Sequence, residues 1–251
     1  MTLRSLLLFL LGALVCFADS AAVVADGQPG EEVLARYLDQ VRTQSVQLRD
    51  LDMDVEIEAE LPRLNRKGKL SALRSISKVG QITYRAITFQ GDDAIKRDVI
   101  ARYMQAEIEG SKKPGLGINR ENYKFRYVGS HGSGDWELHL YQVTARKKLP
   151  GLFNGWVWVE AKTGLPVREQ GEFVKSPSVF LRRIDFVRDF LLEGGKALPV
   201  SIASTIDTRI VGRAEIRVSL SNYHPSGAGQ QTAQAENRAA LLASMNARER
   251  E

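Results

Sequence analysis

The sequence predicts an α+β fold that is mainly antiparallel β: a strongly curved half-open barrel of about ten strands, with two helices across its concave side. The order of patterns is the first observation behind this. A helical pattern, three strand patterns and a second helical pattern come before an unbroken run of strands and turns that starts at Tyr123. The regular spacing of that run is the second, because strands parted by short turn sequences belong to one antiparallel sheet. The third is a matter of number. A sheet of this size curls rather than lying flat, and two helices cannot cover both of its faces.

The first helix is written in "GEEVLARYLDQVRTQSVQL", where Val33, Leu34, Tyr37, Leu38 and Val41 recur at helical spacing. Glu31 and Glu32 stand in its first turn, where the helix dipole favours negative charge. "DLDMDVEIEAEL" then alternates strictly, with Met53, Val55, Ile57, Ala59 and Leu61 on one face and acidic residues on the other. Lys67 and Lys69 open the next strand, "KGKLSALRSIS", and their charge suits a place across from that acidic row. The row itself reads as a solvated, charge-paired face, because alternate carboxylates along a strand diverge from any one ion. "QITYRAITF" supplies a third strand. Asp92 or Asp93 caps the second helix, whose stripe is Ile95, Val99, Ile100, Tyr103, Met104 and Ile108. The remaining strands run from "NYKFRYVG" to "AEIRVSLSNY", separated by Gly- and Pro-bearing turns.

The two ends of the chain differ from this body. "MTLRSLLLFLLGALVCFADSAA" has a basic residue, a short apolar run and small residues near Ala18 and Ala22, the layout of a secretory signal over residues 1–22. An uncleaved anchor is the other reading, although the apolar run falls short of the roughly 20 residues that span a bilayer. Past His224 and Pro225 the composition turns to Ala, Gln, Gly and charge, so residues 226–251 read as a flexible polar tail to a domain of residues 23–225. Cys16, the one cysteine, lies in the signal. An exported chain without it holds together by its core alone, and thiol nucleophiles, iron–sulfur clusters and cysteine zinc sites are excluded.

Catalytic signatures are scarce. His131, His139 and His224 are the histidines, and Glu137 and His139 share a strand face near Asp135. A useful zinc site wants at least about three converging ligands, so this reads as a solvated face, and no metal or other cofactor is expected. No G-x-S-x-G elbow is present, and "KKPGLG" and "GSHGSG" lack the strand, spacing and helix of a phosphate loop. The net charge of +5 suits an anionic surface, and for an exported protein a lipid headgroup is the nearer partner than nucleic acid. Basic groups beside the turns, Arg63, Arg66, Lys67 and Lys69 and then Arg146, Lys147 and Lys148, read either as solvated loops or as transient contacts with an anionic membrane.

On the residues "ARKKLPGLFNGWVWVEAKTGLPVREQGEFVKSPS", "FLRRIDFVRDF" and "TRIVGRAEIRVSLSNY", together with the order of elements, the chain resembles the periplasmic outer-membrane lipoprotein-sorting proteins of the LolA-like, half-open-barrel superfamily. The resemblance covers residues 30 to 224 and departs at the "TARKKLPGLFNG" connection and the long tail. It implies a periplasmic protein without catalysis that shields acyl chains of lipids or lipoproteins in a concave apolar cavity. A sensor module of the same fold, reading a lipid or a membrane-protein partner, is the second reading, and an envelope hydrolase the third.

Seven residues are expected to line that cavity: Val55, Ile57, Leu70, Arg74, Ile76, Trp156 and Trp158. Arg74 interrupts the row Leu70, Ala72, Ile76, so it either anchors a headgroup or packs its stem and snorkels to water. "GWVWV" is apolar on both faces. Its two tryptophans are expected to face the hollow, as wide rings suit a large apolar site, or else to plug a dry core.

Overall fold

The structure, a computed structural model, describes residues 30–112, 117–176, 181–209 and 212–227. The expected signal and the tail beyond Gly227 lie outside these residues. Helix α1 (Glu31–Gln47) leads into β1 (Leu51–Leu61), β2 (Arg66–Ile76) and β3 (Ile82–Gly91). A second helix, α2, is assembled from an α-helical turn (Asp93–Ile95), a π segment (Lys96–Ile100) and an α-helix (Ala101–Ser111). Then come β4 (Tyr123–His131), β5 (Leu138–Ala145), β6 (Phe153–Glu160), β7 (Pro166–Phe173), β8 (Leu181–Glu193), β9 (Lys196–Thr208) and β10 (Arg213–Pro225).

All ten strands form one antiparallel sheet in the order β3-β2-β1-β10-β9-β8-β7-β6-β5-β4. Every neighbour is the next strand in sequence except at β1 and β10, where residues 51–61 pair with residues 213–225. The sheet is curved and, among the described residues, does not close, so β3 and β4 are its edge strands. Its curvature has a local source. The ladder shifts register at six places, among them Asp52/Asp54, Tyr127/Gly129 and Trp158/Val159, and each such bulge bends its strand and increases its twist.

Register decides which side chains share the helix-covered face. Ile57 lies between Leu70 and Val218, and Val55 between Ala72 and Leu220. Together with Met53, Ile216, and Ile95, Ile100 and Met104 of α2, they form one apolar cluster. A second cluster joins Val33, Leu34 and Tyr37 of α1 to Tyr123, Tyr141, Val143, Val157, Val159 and Phe186. The opposite face is polar: Lys69 pairs with Glu56 at 2.5 Å and with Glu58 at 3.5 Å, the charge matching expected of that acidic row.

Both helices are tied to the sheet, α2 at its start by Asp92 N donating to Lys67 O at 3.0 Å and at its end by Ser111 Oγ accepting from Ile82 N at 3.3 Å. α1 is pinned at both ends and in its middle. Tyr141 Oη donates to Gly30 O at 2.6 Å, Arg36 donates to the carbonyls of Ala161 and Lys162, and Gln44 bridges Gly195 O and Ala197 N. Gly30 is left-handed at φ 86°, and a Cβ there would run into the Tyr127 ring. α2 begins on Asp92, whose Oδ1 accepts from Ala94 N at 2.8 Å and Ile95 N at 3.3 Å. Its interior is interrupted by the π segment, a device that often marks functional or hinge positions.

Candidate binding site on the helix-covered face

The predicted lining residues separate into two groups. Val55, Ile57, Leu70 and Arg74 are buried on the helix-covered face, and Ile76 is half-buried against the same cluster. Trp156 and Trp158 are on the other face. Trp156 pairs with Gln142 and Gln170, and Trp158 with Leu140 and Arg168, while Val157 and Val159 point the other way and are fully buried. The expectation for the tryptophans is therefore corrected in parity, and a dry core does not hold them either, since Trp156 keeps 40% of its surface exposed. The reason is volume. The inner space beside β6 is already filled by the rings of Tyr37, Tyr123 and Tyr141, all but fully buried, which leaves room for valines and none for indoles.

Arg74 neither waits for a headgroup nor reaches water. Its Nη2 donates to Glu107 Oε1 of α2 at 2.7 Å, its Nη1 contacts Met53 Sδ at 3.2 Å, and its Nε is buried without a partner. Tyr84 Oη donates to the other oxygen of Glu107. Burial alone would lower the pKa of Arg74, but the charge of Glu107 and its hydrogen bond raise it overall, so Arg74 keeps its charge. Burial, joined by Glu107, raises the Tyr84 hydroxyl far enough to keep it a donor. This cluster latches α2 across β2 and β3.

His139 also departs from expectation. It lies on the inner face and is buried, in ring contact with Tyr127 and Tyr141 and hydrogen-bonded to Glu137 at 3.1 Å, rather than on a solvated face.

Sequence reasoning passed over a second ion pair. Glu169 of β7 and Arg188 of β8 are cross-strand neighbours on the inner face, and Arg188 Nη1 donates to Glu169 Oε2 at 3.1 Å. The Glu169 side chain is only 7% exposed, and burial raises its pKa against the pull of Arg188. Arg188 is 37% exposed, at the rim. It lies across from Ile202 of β9, and Ile202, Ile206, Val99 and Tyr103 are partly buried at the margin of the first cluster, as Leu38 and Val41 are at the margin of the second. β8 and β9 thus carry a seam between two apolar cores, incompletely covered by either helix. The signal for it was legible: Arg188 interrupts the row Ile184, Phe186 as Arg74 interrupts its own.

Two clefts stand out elsewhere, and both are lined mainly by charged and polar residues. One of about 440 Å³ is lined by Glu58, Lys67, Lys69, Glu215 and Arg217 among others. Another of about 600 Å³ is lined by Asp50, Asp52, Ser75, Lys78 and Arg85 among others. Burial would raise the Asp52 pKa, but hydrogen bonds from Ser75 and Ser226 and the charge of Arg85 lower it overall.

The chain has similarity to several solved structures at low identity. A LolA superfamily protein from Nitrosomonas europaea matches at a TM-score of 0.38 and 10% identity, over 76% of this chain and 92% of that one. An outer membrane lipoprotein-sorting protein domain from Vibrio parahaemolyticus matches at a TM-score of 0.34 and 8% identity, over 77% and 92%. A chain of the Pseudomonas aeruginosa MucA/MucB complex matches at 0.27 and 11%, over 76% and 99%. No protein-family model matches the sequence, and no curated protein matches it.

Proposed function

We propose that the protein is a non-catalytic periplasmic binding module that takes up the acyl chain of a lipid or lipoprotein between its concave sheet and helix α2. The observation that carries this reading is the seam over β8 and β9, where Ile202 and Ile206 on the sheet stay partly exposed although they lie on the apolar, helix-covered face, as do Val99 and Tyr103 on α2 although they pack against the same cluster. An apolar strip left open between two cores favours an apolar occupant. α1 is the fixed wall, because it is pinned along its length. α2 is the movable one because the π segment breaks its interior, and it is seated by Ile95, Ile100 and Met104, by Arg74 and Tyr84 on Glu107 and by the Ile82 N–Ser111 Oγ bond.

Three buried side chains of this kind contribute about 5–9 kcal/mol together and the latch about 2–4 kcal/mol more, while burying a twelve-carbon chain at ~0.8 kcal/mol per methylene contributes on the order of 9 kcal/mol, enough to offset most of that cost. Val55, Ile57, Leu70, Ala72 and Ile76 would then face the guest as α2 tilts away. Contact with a donor membrane falls to the exposed loop of Arg146, Lys147, Lys148 and Leu149, whose charges are each worth ~1 kcal/mol beside anionic lipid.

Native mass spectrometry of the full chain recovered from the periplasm tests this. The expected result is an acylated adduct that is lost in Ile202→Glu, which puts a charge in the seam. Repeated recovery of adduct-free protein together with a membrane protein would overturn acyl carriage and leave an interaction module.

A further inference from the structure

We propose that Arg188 is the receptor for the anionic headgroup of an amphiphile whose hydrocarbon lies in the seam, the headgroup being a compact carboxylate or phosphate monoester. The inference rests on the binding reading above and names the chemistry of what is bound.

Arg188 spends little of its donor capacity on the protein. A guanidinium carries five N–H donors, and here Nη1 donates to Glu169 Oε2 at 3.1 Å while the other nitrogens meet no protein acceptor among the described residues. The guanidinium carbon stands 5.9 Å from the Phe186 ring centroid, so the stem and one face are held by apolar surface while the head remains at the rim. A second unused donor is Tyr37 Oη, buried with no hydrogen-bond partner, whose pKa is raised by burial first and then by the charge of Glu169, with Arg188 opposing. Tyr103 of α2 makes no hydrogen bond to protein among the described residues, and the pKa of its hydroxyl is raised by burial first and then by Glu107, with Arg188 opposing.

Both sides of this donor group are hydrocarbon, with Ile202 and Ile206 on one and Phe186 and Val157 on the other. A free inorganic anion would gain the donors and forfeit the apolar surface, and a neutral alkane would do the reverse. An anionic amphiphile satisfies both. Glu169 does not close the site against it. The buried carboxyl titrates above its usual range, and it takes one N–H of the guanidinium.

The probes are dodecanoate, dodecyl phosphate, dodecanol and inorganic phosphate, added below micelle formation to the full chain, with affinity read by displacement of a fluorescent alkyl dye. Both anionic amphiphiles should bind about tenfold or more tightly than dodecanol, the gain of one charge-assisted hydrogen-bond pair. Arg188→Gln alone would strand the buried Glu169, so the decisive variant is Arg188→Gln with Glu169→Gln, which leaves no unpaired charge. In it the preference should fall to within about twofold while dodecanol affinity holds. Glu169→Gln alone should tighten dodecanoate, as it removes the competing carboxylate. Equal binding of all three alkyl probes in wild type and variant would overturn the headgroup assignment and leave acyl binding standing. Displacement of the dye by inorganic phosphate would overturn the amphiphile in favour of a small-anion site. If no alkyl probe binds, the function proposed above fails with it.

Discussion

Arg74 and Arg188 are the same residue in the same kind of place, an arginine set in an apolar strand row, yet they differ in what surrounds the head. Arg74 is enclosed by α2 and answered by Glu107, whereas Arg188 sits at the rim and shares one N–H with Glu169. The interruption of a row is legible in sequence, but its partner is not, because Glu107 arrives from a helix whose docking angle no strand pattern encodes. A buried pair broken on one side leaves a desolvated charge. Glu107→Leu or Arg74→Met alone should therefore cost about 2–4 kcal/mol, and the double variant should return to within about 1 kcal/mol of wild type. Urea unfolding of the four proteins checks this, and additive losses in the double variant would show that the two side chains do not act as a pair.

At the scale of elements the alternation of β1, the stripe of α2 and the run of strands after Tyr123 were all readable, since periodicity reports burial directly. The inner parity of β6 was not, because "GWVWV" is apolar at every position and register there is set by its neighbours. Gly155 and Gly171 are the means. They pair across β6 and β7 on the inner face, and a Cβ on Gly155 would overlap the carbonyl oxygen of Gln170 and come within 2.6 Å of the Gly171 Cα. Backbone in that position cannot swing aside as a side chain does. Gly155→Ala should thus destabilise by about 1–3 kcal/mol. Gly110→Ala, in α2 with open space around it, should instead stabilise by about 0.5–1 kcal/mol through helix propensity. Thermal unfolding of both variants measures the contrast, and a neutral Gly155→Ala would mean that the strands can separate at that point.

For the whole molecule, one pairing carries the topology. Every ladder but one is a connection between strands adjacent in sequence, and the exception, β1 with β10, joins the three strands before α2 to the six from β4 to β9. β10 supplies Ala214, Ile216, Val218 and Leu220 to the first core, and its end is fixed by Ser226, which bonds Asp50 O and Asp52 Oδ1 at 2.8 Å each. Loss of β10 therefore exposes β1 and β9 as two new edges and removes a wall of the core, and neither part left behind has a closed apolar face. A chain ended at Gly212 should give no cooperative thermal transition by near-ultraviolet circular dichroism, because long-range pairing of this kind has no local substitute. A chain ended at Gly227 keeps all ten strands and the Ser226 bonds, and its midpoint should stay within about 3 °C of the full chain, a shift below 1 kcal/mol for a domain of this size. A cooperative transition in the shorter chain would show that residues 30–212 form their own core, and that the sheet is two units joined rather than one.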